Sequence, residues 1–311
     1  MPRVSPVVFR RLTVVAAVLL GLIVVSGGAV RLTGSGLGCP DWPRCTATSL
    51  VAPASYHALV EFINRVVTSL VGVFIGIVAI AALLRSPRRR DLTLLAFSLV
   101  AGFLAQAVVG GLSVLYHLTP PWVMAHFLLS MLILWAAIVL VRRADPDWAP
   151  TPPLVRRELV VLADLLMATA AVVLFLGTVT TGTGPHAGSG GHIKRLPFPL
   201  ERVTQLHADS ALFLTGLVIA TLFAVRLTTT TTLVRRRATL VAIAVLAQVA
   251  IGYTQYFLNL PPSVVELHIA GATLLWAATI GLRLSLTTEP KAAVEDAAAL
   301  PDVIDVSSLS S

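Results

Sequence analysis

Three histidines, His126, His207 and His268, lie within long apolar stretches, where an ionisable side chain is costly and becomes a functional candidate by default. His126 follows Pro121 by five residues and His268 follows Pro262 by six. At about 1.5 Å per residue both fall roughly 8–9 Å inside the start of a helix. His207 and Asn64 fall at a similar depth in the stretches that precede the two connections. Two imidazoles from different helices at one height can approach opposite faces of a single iron, the arrangement that a bis-histidine haem needs. His207 and His268 make a complete pair. His126 is matched by Asn64, whose amide is a poor ligand for haem iron, so one site reads as closed and six-coordinate and the other as open or altered.

Glu61 lies three residues before Asn64, on the same side of the second apolar stretch. A carboxylate there can accept a proton once burial favours its neutral form; the alternative is a structural partner for Arg65 or His57. His57, one turn outward, reads as a displaced ligand, a proton relay or an interfacial side chain. Glu266 and Asp209, each two residues from a second-half histidine, point to other sides of their helices and are weaker candidates. His117, His186 and His192 fall in or beside loops and read mainly as solvated, the alternative being a role in haem entry or at its propionates.

The matching of these positions reflects an internal repeat. AQAVVGGLSVLYHLTPPWVMAH at 105–126 corresponds to AQVAIGYTQYFLNLPPSVVELH at 247–268, with Gln106 and Gln248 each 20 residues before the histidine. One stretch earlier, Asn64 pairs with His207 and Glu61 with Thr204. Earlier still, Thr33-Gly34-Ser35-Gly36 pairs with Thr181-Gly182-Thr183-Gly184. A duplicated bundle with histidines at equivalent positions points to two related sites, one per half.

The elements that position them are membrane spans. Mean hydropathy is +0.87 and only 12% of residues are charged. Apolar runs of about 20 residues, enough to cross a hydrocarbon core, recur near 12–30, 58–84, 92–116, 122–141, 158–180, 203–225, 238–258 and 263–282. The predicted fold is an all-α integral membrane protein of eight transmembrane helices, arranged as two pseudo-symmetric four-helix bundles. Residues 1–145 form the N-terminal half and 146–285 the C-terminal half, divided in the Pro-rich connection 142–158; 286–311 read as a disordered tail. The first run reads as a span and not as a cleaved signal.

The net charge of +8 does not indicate nucleic acid, because the arginines cluster at Arg10-Arg11, Arg85 with Arg88–Arg90, Arg142-Arg143 with Arg156-Arg157, and Arg226 with Arg235–Arg237. These are the N-terminus and every second connection, which by the positive-inside rule puts both termini in the cytoplasm of a multi-pass cell-membrane protein. Cys39 and Cys45 share the first outer loop, GCPDWPRC, on the oxidising side, where a disulfide fits better than a metal site without a second cysteine pair. The absence of Cys-x-x-Cys-His argues against covalent c-type haem. The glycine run at 34–38 follows a span and no βαβ unit, so it does not read as a phosphate loop. The Thr228–Thr232 run reads as loop.

The run Arg31-Leu-Thr-Gly-Ser-Gly-Leu-Gly-Cys-Pro-Asp-Trp-Pro-Arg-Cys45, then Glu61-Phe-Ile-Asn-Arg65, Thr183-Gly-Pro-His186-Ala and the histidines of spans four, six and eight together resemble the haem A synthase family. The resemblance extends to about residue 285. It implies an eight-helix bundle of two halves, with haem b between His207 and His268 in the C-terminal half. The N-terminal half would take haem o and oxidise its C8 methyl group to a formyl group, giving haem A for cytochrome c oxidase. The family's glutamate maps to Glu61, its loop disulfide to Cys39–Cys45, and the substrate-iron ligand to His126, with Asn64, Arg65 and His57 at the substrate site. The partners it implies are membrane lipid, haem o, haem o synthase and cytochrome oxidase assembly factors. The chain departs from the family at Asn64, where Glu-x-x-His-Arg is common, at Ala208, where arginine often stands, and in lacking a second cysteine pair in 182–202. The rival readings are a dihaem b-type electron-transfer protein acting with quinone, which predicts two complete ligand pairs, and a repeat-built transporter without haem.

Overall fold

The computed structural model describes residues 3–148, 157–191, 193–228 and 231–286. Eight helices occupy them: α1 Pro6–Leu32, α2 Tyr56–Leu84, α3 Arg90–Leu115, α4 Pro120–Arg143, α5 Arg157–Thr183, α6 Leu200–Thr228, α7 Thr232–Phe257 and α8 Pro262–Ser285. Each is long and apolar enough to cross a membrane, and no extended strand is present among the described residues. The chain is a multi-pass, all-α membrane protein. The predicted tail lies outside the described residues except for Leu286, as do His192 and part of the 142–158 connection.

The helices overrun the predicted spans where their ends are polar. α1 starts at Pro6 and α7 at Thr232, because an arginine-bearing turn remains helical although it falls outside an apolar window. The Ser5 hydroxyl caps α1 by accepting from the Val8 N–H at 3.3 Å, and proline opens α1, α4 and α8, where its missing N–H costs nothing. The threonine run is only partly loop, since Thr228 closes α6 and Thr232 opens α7.

The repeat is visible in the backbone of two tight hairpins. Between α3 and α4, His117 and Leu118 take φ of 52° and 55°; between α7 and α8, Asn259 and Leu260 take 58° and 61°. In both, the last loop N–H returns to a carbonyl five residues back, Leu118 to Ser113 and Leu260 to Gln255, each at 2.7 Å. Consecutive non-glycine residues in the left-handed region cost on the order of 1–2 kcal/mol each, so their recurrence at repeat-equivalent positions reflects one hairpin geometry used twice.

α1 packs on α2 and α4, with α3 against the same two; α5 packs on α6 and α8, with α7 against those two. The seam between the groups runs through α1–α8, α4–α5 and α4–α8. Alanines at buried positions, among them Ala79, Ala96, Ala137, Ala163 and Ala238, let the helices approach closely. Leu22, Leu70, Leu94, Leu212 and Phe223 are exposed on the outside, as a lipid-facing surface requires. The loops opposite the arginine-rich end also meet across the seam: the Gly36 N–H donates to the Gly188 carbonyl at 2.8 Å.

Candidate functional site

α6 and α8 bring His207 and His268 together, with ring centroids 6.3 Å apart and planes at 78°. Two imidazoles on opposite faces of one metal, with metal–nitrogen bonds of about 2 Å and ring radii of about 1 Å, have centroids about 6 Å apart. The pair therefore fits a single iron between them. The neighbouring helices supply glycine where each ring lies: a Cβ at Gly177 of α5 would stand 3.2 Å from His207 Cε1, and one at Gly252 of α7 would stand 3.6 Å from His268 Cε1. The buried Nδ1 atoms of both rings have no hydrogen-bond partner among the described residues.

His126 repeats half of this arrangement. Its Cε1 lies 2.9 Å from a Cβ built on Gly110 of α3, and its buried Nδ1 is also without a partner. Gln106 of α3 donates to the His126 carbonyl at 2.8 Å and to Ser130 Oγ, fixing α3 against the histidine-bearing turn of α4. Asn64 points its amide at α1, where Ser26 Oγ donates to Oδ1 at 2.8 Å.

Glu61 pairs with Arg65, one of the two partners the sequence offered for it. It is only 5% exposed, and its carboxylate faces the first loop. Oε2 accepts from the Cys39 N–H at 2.7 Å and Oε1 from Arg65, whose Nη2 stands 2.6 Å away. Arg65 donates in turn to the carbonyls of Cys39 at 2.8 Å, Asp41 at 3.0 Å and Arg44 at 3.2 Å. The Cys39–Cys45 disulfide is present, so a closed loop is strapped to α2 by one ion pair. Gly38 must be glycine, since a Cβ there would stand 2.1 Å from the His57 carbonyl oxygen. Trp42 lies flat against Gly111 of α3, where a Cβ would come within 2.5 Å of the indole.

His57 is exposed and its Nδ1 lies 3.0 Å from Ser35 Oγ, away from Glu61. His186 bridges loops through Nε2 to the Leu260 carbonyl at 2.8 Å, and His117 sits in the left-handed α3–α4 hairpin. Asp209 is exposed. Both carboxylate oxygens of Glu266, one of the weaker candidates, are buried without a partner, against Gly28 of α1, where a Cβ would stand 2.7 Å from Oε2. The sequence also offered no reason to join Arg31 and Arg195, which meet at the loop end of α5; burial pulls the Arg195 guanidinium below its ordinary pKa. Their only sequence signal was basic charge on the side that carries little of it.

Comparison with known proteins places the chain in a family. Curated relatives include the heme A synthase of Exiguobacterium sibiricum, 29% identical over 157 residues covering 49% of this chain and 52% of that protein. The heme A synthase of Lysinibacillus sphaericus is 33% identical over 128 residues, 41% of each chain. That of Listeria welshimeri is 32% identical over 135 residues, 42% of this chain and 44% of the relative. The chain thus spans about half the length of the curated relatives it matches, or somewhat less. The profile of the cytochrome oxidase assembly proteins matches residues 10–57 and 51–189, which include the disulfide loop, Glu61 and His126. With more than half of its length matched, the chain belongs to the COX15-CtaA family of cytochrome oxidase assembly proteins.

Proposed function

We propose that the protein is a haem A synthase, oxidising the C8 methyl group of haem o to a formyl group to give haem A for cytochrome c oxidase. The observation that carries this reading is the asymmetry between the halves: an imidazole pair at metal-bridging distance in one, and in the other a single histidine on α4 with a buried carboxylate on α2 that holds a disulfide loop. His207 and His268 would hold haem b, which when bound supplies a one-electron relay. His126 would bind the iron of the substrate haem o, while Ser26 holds the Asn64 amide toward α1.

Taking a porphyrin methyl group to a formyl group adds one oxygen atom, from water, and removes four electrons and four protons, so it needs an external electron acceptor, a proton acceptor and a fixed macrocycle edge. Glu61 is the buried carboxylate among the described residues of the N-terminal half. To accept a proton it must exchange its bonds with Arg65 and the Cys39 N–H, so movement of the 39–45 loop and proton uptake at Glu61 are one event in this reading. The loop buries its disulfide cysteines, and Trp42 rests against Gly111 of α3. Residues 1–145 form the substrate half and 146–285 the cofactor half. Both termini lie in the cytoplasm, and haem o synthase and oxidase assembly factors are the partners.

The test is expression in a host that makes haem o but no haem A, followed by chromatography and mass analysis of the extracted haems. Haem A, appearing only with the protein, is expected. Unchanged haem o alongside two intact b-type spectra would return the protein to the electron-transfer reading, and no bound haem at all would favour a transporter. In the same preparations His207→Ala and His268→Ala should each lose the low-spin haem b spectrum, and retention by both would overturn the ligand assignment.

A further inference from the structure

Two guanidinium groups converge on one carbonyl above the His207–His268 pair. Arg31, in the last turn of α1, donates from Nη2 to the carbonyls of Thr181, at 3.4 Å, and His186. Arg195, in the α5–α6 loop, donates from Nη2 to the same Thr181 carbonyl and from Nε to that of Gly184 at 2.9 Å. Among the described residues neither has an ion-pair partner; the pairs there belong to Arg10, Arg65, Arg89, Arg143 and Arg283. The Nη1 groups of both arginines make no hydrogen bond to the described residues. Tethering loop carbonyls would need one such side chain. Two like charges sharing an acceptor repel each other and pay for desolvation, a cost that an anion between them would offset.

Their height relates them to the imidazole pair. Thr181 is one helical turn from Gly177, which lies against His207. Its neighbour Thr180 reaches the Val203 carbonyl at 3.4 Å, one turn from His207 on α6. The arginines therefore sit about 5–6 Å toward the loop end from the level of the imidazoles. A porphyrin bound by its iron projects its propionate arms from one edge over a comparable distance.

We propose that Arg31 and Arg195 form a carboxylate site for the propionates of the porphyrin held by His207 and His268. The proposal rests on the haem b reading above. It gives the bound group a second role: because Arg31 belongs to the first four helices and Arg195 to the second four, an occupied site ties the two sets together at their loop end. Planar guanidinium forks suit a carboxylate, and lysine would satisfy it less well.

The experiment compares wild type, Arg31→Gln and Arg195→Gln in nanodiscs, reading the rate of haem transfer to apomyoglobin and the reduction potential of the low-spin haem. Each is reconstituted with haem b or with haem b dimethyl ester, whose propionates carry no charge. Loss of one charge-assisted contact should speed haem transfer on the order of tenfold and lower the potential, because an uncompensated propionate favours ferric iron. Esterification should weaken wild type by a similar factor and the variants much less. Equal weakening by the ester in wild type and variants would overturn the proposal, marking the arginines as loop tethers only. Variants that alter phospholipid or phosphate dependence but keep the full ester effect would overturn it in favour of a headgroup site. A wild type that binds no haem defeats the haem reading and this proposal together, whereas a haem-loaded wild type with equal ester effects defeats this proposal alone. If either Gln variant fails to fold, Arg31→Lys and Arg195→Lys, which keep the charge but lose the fork, carry the same comparison with a smaller shift.

Discussion

Glu61 carries two demands that a single substitution can separate. Its two oxygens accept from Arg65 and from the Cys39 N–H, so a glutamine, with one oxygen and one NH2, must turn a donor toward one of those donors. Glu61→Gln should therefore loosen the 39–45 loop, at a cost of about 1–3 kcal/mol for the bond left unmade, as well as remove the proton acceptor. The His207–His268 haem spectrum should survive, while haem o or a hydroxylated product accumulates in place of haem A, with the rate down by about 10²–10⁴ if the carboxylate is the base. Limited proteolysis of the loop checks the first effect and haem extraction the second. A loosened loop with near-normal haem A would leave Glu61 as the anchor of the loop and nothing more.

At the scale of the helix, the glycines facing the histidines form a graded series. A Cβ at Gly252 meets His268 at ordinary van der Waals distance, 3.6 Å; at Gly177 it is tight against His207, 3.2 Å; at Gly110 it overlaps His126, 2.9 Å. Replacing a mid-helix glycine by alanine is otherwise favourable by about 1 kcal/mol. Gly252→Ala should thus raise thermal stability without moving the low-spin spectrum, and Gly177→Ala should broaden it slightly. Gly110→Ala should displace the His126 ring and weaken haem o retention severalfold. Resonance Raman of the bound haems, read beside melting curves, would show this order. Equal perturbation by all three would mean that the glycines serve helix packing and not the rings.

At the scale of the molecule, the two groups of four helices meet along a seam with few polar bonds. Trp276 of α8, buried, donates its indole N–H to the Met131 carbonyl of α4 at 3.0 Å. Trp276→Phe keeps most of the ring volume and removes that bond, so it should cost about 1 kcal/mol and lower the melting temperature by a few degrees, with both histidine sites still able to bind haem. A fall in stability accompanied by loss of haem from both halves would show that the seam positions the sites as well as joining the helices.

The amino-acid sequence alone was enough for the eight spans, because hydropathy acts along the chain. It also placed Cys39 and Cys45 in one short loop, where a disulfide needs no help from distant residues. What it could not supply were contacts between residues far apart in sequence. Glu61 and Asn64 share a side of α2 by count, yet Glu61 turns to the folded-back loop and Asn64 to Ser26 of α1, because these two polar groups found their partners on different elements. Glu266 read from the sequence as a weaker candidate on another side of its helix, and only the packing of α1 on α8 set its carboxylate against Gly28. Arg31 and Arg195 were two outer-side cations with nothing in their local sequence to join them. Only the packing of α1 beside the α5–α6 loop put both on the Thr181 carbonyl, and that juxtaposition is a property of helix packing in three dimensions, which no local pattern encodes.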